Sequence, residues 1–290
     1  MKRFYYLCFN CINMGNKDNK PLADKPVFEK GKQYHIDCKP GDLYGPVLLP
    51  GDPERAKRIA ETWDEYHEVA GHRQYYSYTG KIHDVPISVT STGIGTPACE
   101  IALTELMNVG CDTFIRVGST GVIQPGIELG DLIINTGAVK MEGSSKYYVP
   151  ESYPALANYE IVLSLIEACE VLGFQYHVGI AASSSSFYLG QGRPGYKNYK
   201  ISKTELIVPD MQKMGVLNFE MEASHIFTLA SVFKGRAGAI CAVYANRVTN
   251  EFGVKGEKEA IKAANYAVKV LAEIDEDKRK NNKKYWFKSI

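Results

Sequence analysis

The chain has 290 residues, of which 45% are hydrophobic and 23% charged, and its formal net charge at pH 7 is +1. This balance allows one large domain or two small ones and supplies ample apolar material for a core. A charge near zero gives no overall attraction to nucleic acid or to a membrane surface, and no apolar run is long enough to span a bilayer.

The cysteine and histidine patterns argue against a disulfide framework and against a metal site. Seven scattered cysteines, an odd number, are typical of a reducing compartment, so we predict a cytoplasmic protein. Cys8 and Cys11 form a C-x-x-C, but no second pair with zinc spacing follows, and the histidines lack ligand-like spacing. The basic, partly apolar opening segment has no small-residue cleavage site and is not predicted to be a signal peptide.

Between the two ends of the chain, strand-like apolar runs alternate with helical patterns. Strands are predicted at 46–50, 85–92, 113–120, 131–139, 177–184 and 237–246. Helices are predicted at 54–63, 99–109, 158–173, 222–233 and 257–273. This alternation predicts an α/β fold, a single layered domain with a central mixed, largely parallel β-sheet flanked by helices.

Three segments follow from this pattern. Residues 1–26 are polar and turn-rich and are predicted to be a mobile leader, residues 27–274 form the folded domain, and residues 275–290 form a charged tail. Ligands in such folds bind at the carboxyl ends of strands, so the residues that follow each strand are the informative ones.

The first strand leads into PGDPER, which is typical of a helix start that binds an anion. Gly51 ends the strand, Asp52 suits the N-cap, and Pro53 suits the first helical position. The free amides of the first turn attract negative charge, and Arg55 adds a cation there, although a surface arginine beside an ordinary cap is the alternative.

A second arginine interrupts the apolar strand TFIRVGSTG. Burial of Arg116 without a partner would be costly, and either a ligand anion or a core carboxylate can supply that partner. Ser119, Thr120 and Gly121 follow with hydroxyls and amides suited to an anion. With Arg55, this turn predicts a site for an oxyanion such as phosphate.

The segment NFEMEAS places two carboxylates two residues apart. Glu220 and Glu222 lie on one face if the backbone is extended, and such a pair can accept hydrogen bonds from vicinal hydroxyls. Met221 between them can pack on a sugar face. The alternative is that both acids are exposed at the start of the next helix.

Residues 183–196 read SSSSFYLGQGRPGY and contain the letters of a G-x-G-x-x-G fingerprint. A dinucleotide site needs a buried strand before the glycines and a helix directly after them, and the flanking residues predict neither. We interpret the glycines as turns around Phe187, Gln191 and Arg193.

Seven motifs in order resemble the uridine phosphorylase family, which shares a superfamily with hexameric purine nucleoside phosphorylases and nucleosidases. The resemblance covers about residues 27 to 271, and its motifs are PGDPERA, GHR, STGIG, RVGSTGVIQP, ASSSSFYLGQGR, NFEMEAS and NRVTNE.

The resemblance implies a nucleoside phosphorylase-like catalytic domain whose sites are shared between subunits. Phosphate would contact Gly51, Arg55, Arg116 and Ser119, with Arg73 contributed by a neighbouring subunit. The implied assembly is a homo-oligomer, either a dimer or a hexamer built as a trimer of dimers.

The resemblance also assigns the nucleoside. The ribose residues would be Met221, Glu222, the adjacent Glu220, and His35 of a neighbouring subunit. The base residues would be Phe187, Gln191 and Arg193.

The implied reaction is phosphorolysis of uridine to uracil and ribose 1-phosphate, a step of pyrimidine salvage by a pentosyltransferase. Arg116 would orient phosphate, Glu222 would hold the ribose hydroxyls, and Arg193 would stabilise the departing uracil. No cofactor and no metal are implied, since phosphate is a co-substrate. Gln74 and Ala98 replace a glutamate and a serine that help bind a monovalent cation in relatives, which argues against a potassium requirement.

Three alternatives compete with this interpretation. A purine nucleoside phosphorylase or nucleosidase of the same superfamily is weakened because Ala245-Asn246-Arg247 replaces the Ser-Asp pair of purine enzymes, and because the phosphate arginines are present. A non-catalytic nucleoside-binding protein would bind uridine without turnover. A nicotinamide-dependent oxidoreductase is weakened because Asp112 precedes, rather than ends, the strand after STGIGTPA.

Overall fold

The computed structural model describes residues 22–287, so the Cys8–Cys11 pair and the predicted opening segment lie outside the described residues. The helices in this range are α1 (Pro53–Ala60), α2 (Thr96–Asn108), α3 (Tyr159–Leu172), α4 (Ser202–Lys213), α5 (Ala223–Val232) and α6 (Glu257–Lys280). The strands are β1 (Val47–Leu49), β2 (Glu65–His72), β3 (Tyr75–Ile82), β4 (Val85–Thr90), β5 (Thr113–Val122), β6 (Leu132–Met141), β7 (Ala155–Leu156), β8 (Tyr176–Ser184), β9 (Asn218–Glu220), β10 (Arg236–Asn246) and β11 (Glu251–Phe252).

The described strands form one mixed sheet that closes partly on itself. Parallel pairings join β4 to β1, β1 to β5 and β5 to β10, and also β6 to β8 and β8 to β9. Antiparallel pairings join β10 to β6 and β9 to β5, so these central strands complete a ring. The β2–β3–β4 meander extends the sheet beyond β1.

Helices cover both faces of the sheet because alternate strand residues point in opposite directions. On β1, Leu48 packs into a core formed with α1, α3 and α6, whereas Val47 and Leu49 pack into a second core formed with α2 and α5. The cores are apolar, mostly aliphatic with some aromatic side chains, and their burial provides the main favourable free energy of folding. The predicted layered α/β fold with a mixed sheet is confirmed.

The predicted elements are all present, but the β2–β3 hairpin, helix α4 and the short strands β7, β9 and β11 were missed. Strand β2 is exposed over most of its length and carries Glu65, His67 and Glu68, so its sequence lacks the apolar alternation of a half-buried strand. Helix α4 contains Pro209, which disfavours a helical interior. Packing of its apolar side chains against Phe219 stabilises this helix nonetheless.

The last helix continues past the boundary predicted between domain and tail. Helix α6 runs to Lys280, and residues beyond 274 take part in ion pairs: Asp275 lies 2.8 Å from Arg236, and Lys278 lies 2.7 Å from Glu160. Over residues 22–287, no helix is long and apolar enough to cross a membrane. The same range contains no group of three or more His, Cys, Asp or Glu side chains placed to hold a metal ion.

Candidate active site

The segments that follow β1, β4, β8 and β9, together with residues inside β5 and β10, surround a cavity of about 880 Å³. Ser119, Thr120 and Gly121 belong to strand β5, and not to the turn after it that the sequence predicted. All the predicted site residues line the cavity except His35 and Arg73. The predicted residues that line the cavity are Gly51, Arg55, Arg116, Ser119, Phe187, Gln191, Arg193, Glu220, Met221 and Glu222. A cavity of this size is of the order that encloses a small organic ligand.

One end of the cavity is formed by the start of α1. Asp52 is the N-cap, and its carboxylate accepts a hydrogen bond of 3.0 Å from the Glu54 amide, while Pro53 occupies the first helical position as predicted. Arg55 in this first turn is buried, not a surface side chain, and its Nη1 donates to the Val117 carbonyl over 3.3 Å. The buried cation and the helix N-terminus together favour an anion here.

Arg116 is paired with the two carboxylates that the sequence places in NFEMEAS. Its Nε lies 2.8 Å from Glu220 Oε2, and its Nη2 lies 2.6 Å from Glu222 Oε2. Of the two partners that the sequence allowed for Arg116, a ligand anion or a core carboxylate, the structure shows carboxylates. Both carboxylates also line the cavity. Both acids are buried, so the alternative interpretation, in which they are exposed at a helix start, is wrong.

Burial and pairing act in opposite directions on this triad. Burial raises the pKa of Glu222, and the negative charge of Glu220 adds to this effect, whereas Arg116 opposes it. Burial disfavours the charge of Arg116, but Glu222 and Glu220 together raise its pKa above the ordinary value, so the guanidinium stays protonated.

Backbone donors hold both carboxylates in place. Glu220 Oε2 accepts hydrogen bonds of 2.8 Å from the amides of Glu222 and Ala223, and Ser183 donates to its other oxygen. Glu222 accepts a hydrogen bond from the amide of Gly95, which caps α2 at a φ of 86°. The glycine at this position permits a backbone conformation that other residues adopt only with strain, and it aims an amide at the carboxylate.

The loop after β8 presents three side chains to the cavity. Arg193 donates to the Phe187 carbonyl over 2.9 Å and to the Gln191 side-chain oxygen, and its Cζ lies 4.1 Å from the centre of the Phe187 ring. Arg247 binds the Gln191 carbonyl from behind over 2.9 Å. Burial lowers the pKa of Arg193 to about 10, and the positive charge of Arg247 adds to this effect.

Packing on α4 explains one glycine of this loop, Gly192. Gly192 has a φ of 70°, and a Cβ on it would lie 2.8 Å from Val208 of α4. The next α-helix begins at Ser202, well after the glycines, so no helix N-terminus faces them. This geometry differs from that of a dinucleotide fingerprint, in which a helix starts at the glycines.

His35 and Arg73 lie together outside the cavity lining. The Nδ1 of His35 lies 2.6 Å from Glu105, and Arg73 donates to the Tyr34 hydroxyl over 3.1 Å. Both predicted residues thus belong to one separate cluster of the same subunit, which also contains His72.

Several residues near the cavity were not predicted. Tyr244 and Phe252 line it, and Glu257, at the start of α6, contacts Arg55. Tyr244 lies within a predicted strand, and an acid in the first turn of a helix is ordinary, so neither carried a local signal.

The fold and the cavity define a class of proteins. The profile of the phosphorylase superfamily matches residues 47–274, and the chain belongs to this superfamily.

Individual relatives refine the comparison. The chain is 59% identical to a uridine phosphorylase of Thermococcus kodakarensis over 91% of its length and 95% of the relative's. It is 35% identical to a uridine phosphorylase of Escherichia coli, over 84% and 97% of the two chains. It is also 36% identical to a guanosine phosphorylase of Halorubrum lacusprofundi, over 79% and 90%. The predicted resemblance to the uridine phosphorylase family is confirmed.

Proposed function

We propose that this protein catalyses the phosphorolysis of uridine to uracil and ribose 1-phosphate. The observation that carries the proposal is the composition of one cavity, which combines two buried arginines, a buried carboxylate pair and the Phe187–Gln191–Arg193 loop. Similarity to uridine phosphorylases over most of both chains supports the same reaction.

Phosphate binds where α1 begins. Arg55, Arg116 and the hydroxyl of Ser119 border this part of the cavity and supply charge-assisted and neutral donors to an oxyanion. The enzyme holds the nucleophilic oxygen beside the anomeric carbon, and this positioning is a large part of its contribution to the rate.

The ribose lies over Met221, with Glu222 accepting hydrogen bonds from its hydroxyls. As the bond between the anomeric carbon and uracil N1 breaks, the bond to phosphate oxygen forms, and the electron pair of the broken bond leaves with uracil. The sugar gains oxocarbenium character in between, and the adjacent carboxylates and phosphate stabilise its positive charge.

The base is read by the loop after β8. Phe187 stacks on the pyrimidine, the Gln191 amide meets its amide edge, and Arg193 faces a carbonyl oxygen. Negative charge grows on uracil as it departs, and the guanidinium stabilises that charge without a metal. The half-buried Arg193 guanidinium lies near the like charge of Arg247, so a developing anion is a favourable partner for it.

A second candidate is phosphorolysis of a purine nucleoside, which the guanosine phosphorylase relative favours. Purine enzymes of the superfamily place an aspartate after the late core strand, where it protonates the base. At this place Ala245 lines the cavity. The Asn246 side chain is buried and donates to the Ile127 carbonyl over 2.8 Å, while its oxygen accepts from the Val248 amide. No acid stands at this position, which disfavours the purine reaction.

Completion of the site requires a second subunit. Around phosphate, the guanidinium groups of Arg55, Arg58 and Arg116 only balance the carboxylates of Glu220, Glu222 and Glu257. A further cation is therefore needed to bind a dianion, and Arg73 of a neighbouring subunit supplies it in a homo-oligomer. His35 lies in the same cluster, and it contacts the ribose bound in the neighbouring subunit.

The test is to incubate the purified protein with uridine, with and without inorganic phosphate, and to measure free uracil, with inosine and guanosine in parallel. Uracil release that depends on phosphate is the expected result. Release without phosphate would identify a hydrolase, and turnover of the purine nucleosides alone would identify the second candidate. Binding of uridine without turnover would identify a non-catalytic protein.

A further inference from the structure

Glu257, the first residue of α6, receives three donors from two other parts of the fold. Its Oε2 accepts from Arg55 Nε over 2.9 Å and from the Tyr244 hydroxyl over 2.8 Å. Its Oε1 accepts from Arg58 Nε over 2.8 Å. One carboxylate therefore connects the start of α6 to the first and second turns of α1 and to the end of β10.

These contacts orient the Arg55 guanidinium. An arginine side chain has five N–H donors. Glu257 takes the Nε donor, the Val117 carbonyl takes one Nη1 donor, and the Tyr244 hydroxyl lies 3.4 Å from Nη2. Two N–H groups, one on each Nη, remain for a ligand. A planar fork held in this way presents its pair of donors in a fixed direction.

The position of Glu257 is itself fixed by backbone packing. Gly256 precedes it with a φ of 77°, and a Cβ on this glycine would lie 2.4 Å from the Gly130 carbonyl oxygen. Helix α6 therefore begins in close contact with the loop before β6. Arg58 links the same carboxylate to Asp52, the N-cap of α1, over 3.1 Å.

The charge of Glu257 persists in this setting. Burial opposes ionisation, but hydrogen bonds from Arg58 and Tyr244 and the charge of Arg55 hold the pKa of Glu257 below its usual value. A carboxylate beside a phosphate site weakens the anion's electrostatic attraction, so its presence there calls for a compensating role.

We propose that Glu257 is a positioning residue that sets the affinity for phosphate by holding Arg55 in its binding orientation. This inference rests on the proposed function, because it assigns Arg55 to the phosphate. Glu257 itself does not line the cavity, so we place it in contact with neither phosphate nor nucleoside. Its removal thus affects phosphate binding through Arg55 and leaves the nucleoside contacts intact.

The test compares Glu257→Gln with Glu259→Gln. Glu259 lies in the same turn of α6, so its substitution removes an equal charge from the same helix start. For Glu257→Gln we expect the KM for phosphate to rise about tenfold, with the KM for uridine and kcat at saturating phosphate within about twofold of the wild type. Glu259→Gln should leave all three constants unchanged.

Two further measurements keep the inference open to refutation. Titration calorimetry with inorganic phosphate alone should show about the same tenfold loss of affinity, and it reads out phosphate binding even if the protein does not cleave uridine. Glu257→Asp, which keeps the charge, should recover part of the lost affinity. An unchanged phosphate affinity in a Glu257→Gln protein with a wild-type melting temperature would overturn the proposal. Equal effects of both Gln variants would overturn it as well.

Discussion

At the scale of single residues, the centre of the site is an arginine shared by two buried acids. Arg116 bridges Glu220 and Glu222, so the residue that we propose binds phosphate also fixes the two that we propose bind ribose. Burial of these three charges costs desolvation free energy that their pairing offsets. Removal of one member therefore leaves an uncompensated buried charge and destabilises the fold.

Substitution of Arg116 by Met should leave two buried carboxylates without a cation. We expect the free energy of unfolding to fall by about 3–5 kcal/mol, because one uncompensated buried charge already costs this much. Urea denaturation at pH 7 measures the change. The paired variant Glu220→Gln with Arg116→Met should recover part of the loss, and equal stability of the two variants would contradict the argument.

Arg193 is expected to act on the base alone. Its replacement by Gln removes a charge-assisted hydrogen bond to the departing uracil, so kcat/KM for uridine should fall about ten- to a hundredfold. The KM for phosphate should change little. Steady-state kinetics with each substrate varied in turn distinguishes the two effects, and Lys197→Gln on the same loop is the control. A selective rise in the KM for phosphate would show that Arg193 is assigned to the wrong substrate.

At the scale of elements, helix starts determine where the charged side chains point. Helix α1 begins beside Gly51, α2 begins at Gly95 against Glu222, and α6 begins at Gly256 next to Glu257. The start of α1 could be predicted from local sequence, because Asp52-Pro53 is a strong capping sequence. The contact between Gly256 and Gly130 could not, since it joins segments far apart in the chain.

Replacement of Gly256 by Ala should therefore do more than strain one backbone angle. Gly215 has a similar φ of 74° but open space around its missing side chain, so Gly215→Ala isolates the conformational cost, about 1 kcal/mol. We expect Gly256→Ala to be more destabilising than this in chemical denaturation and to raise the KM for phosphate. Equal effects of the two substitutions on stability would mean that the start of α6 can move away from Gly130 at no cost in free energy.

At the scale of the whole molecule, the arrangement of His35 and Arg73 outside the cavity is the feature that an isolated chain does not explain. Both residues are held by local partners, Glu105 and Tyr34, rather than by solvent. This cluster is preorganised, as expected of a surface that enters a neighbour's site.

Mixing two inactive variants tests the shared site. Arg55→Gln impairs the phosphate site of the subunit that carries the substitution. Arg73→Gln leaves the cavity of its own subunit intact and impairs only the site of the neighbouring subunit. Co-expressed with different tags and purified as a mixed oligomer, the two should regain a substantial part of the phosphorolysis that each lacks alone. Mixed oligomers as inactive as the parents would contradict the sharing of sites.

The chain beyond residue 274 also contributes to the whole molecule. Glu160 is buried against Arg236 and Lys278. Burial opposes its charge, but these hydrogen bonds lower the pKa of Glu160 below its ordinary 4.5. A folded-state pKa below the unfolded one gives stability that is present above pH 4.5 and is lost as the pH falls through the folded-state pKa.

A chain ending at residue 274 should therefore be less stable than one ending at Lys280, by about 1.5–3 kcal/mol at pH 7. The difference should shrink in denaturation experiments as the pH falls below 4.5 and Glu160 gains a proton. A difference that stays constant with pH would assign the effect to packing of the helix end.

Most of the elements, and cavity residues such as Arg55, Arg116 and Glu220, could be predicted from local sequence because strand alternation, capping residues and glycine turns act over a few positions. Their assignment to phosphate, ribose or base came from the family resemblance and stays a prediction. Sequence could not show which partners those residues meet. Arg55 pairs with Glu257 across 202 positions, and Arg116 meets acids about a hundred residues later. Strand β2 and helix α4 also formed against weak local signals, since a neighbouring strand and an apolar surface stabilise them. Pairings of this kind depend on how layers stack, and only the tertiary structure decides that.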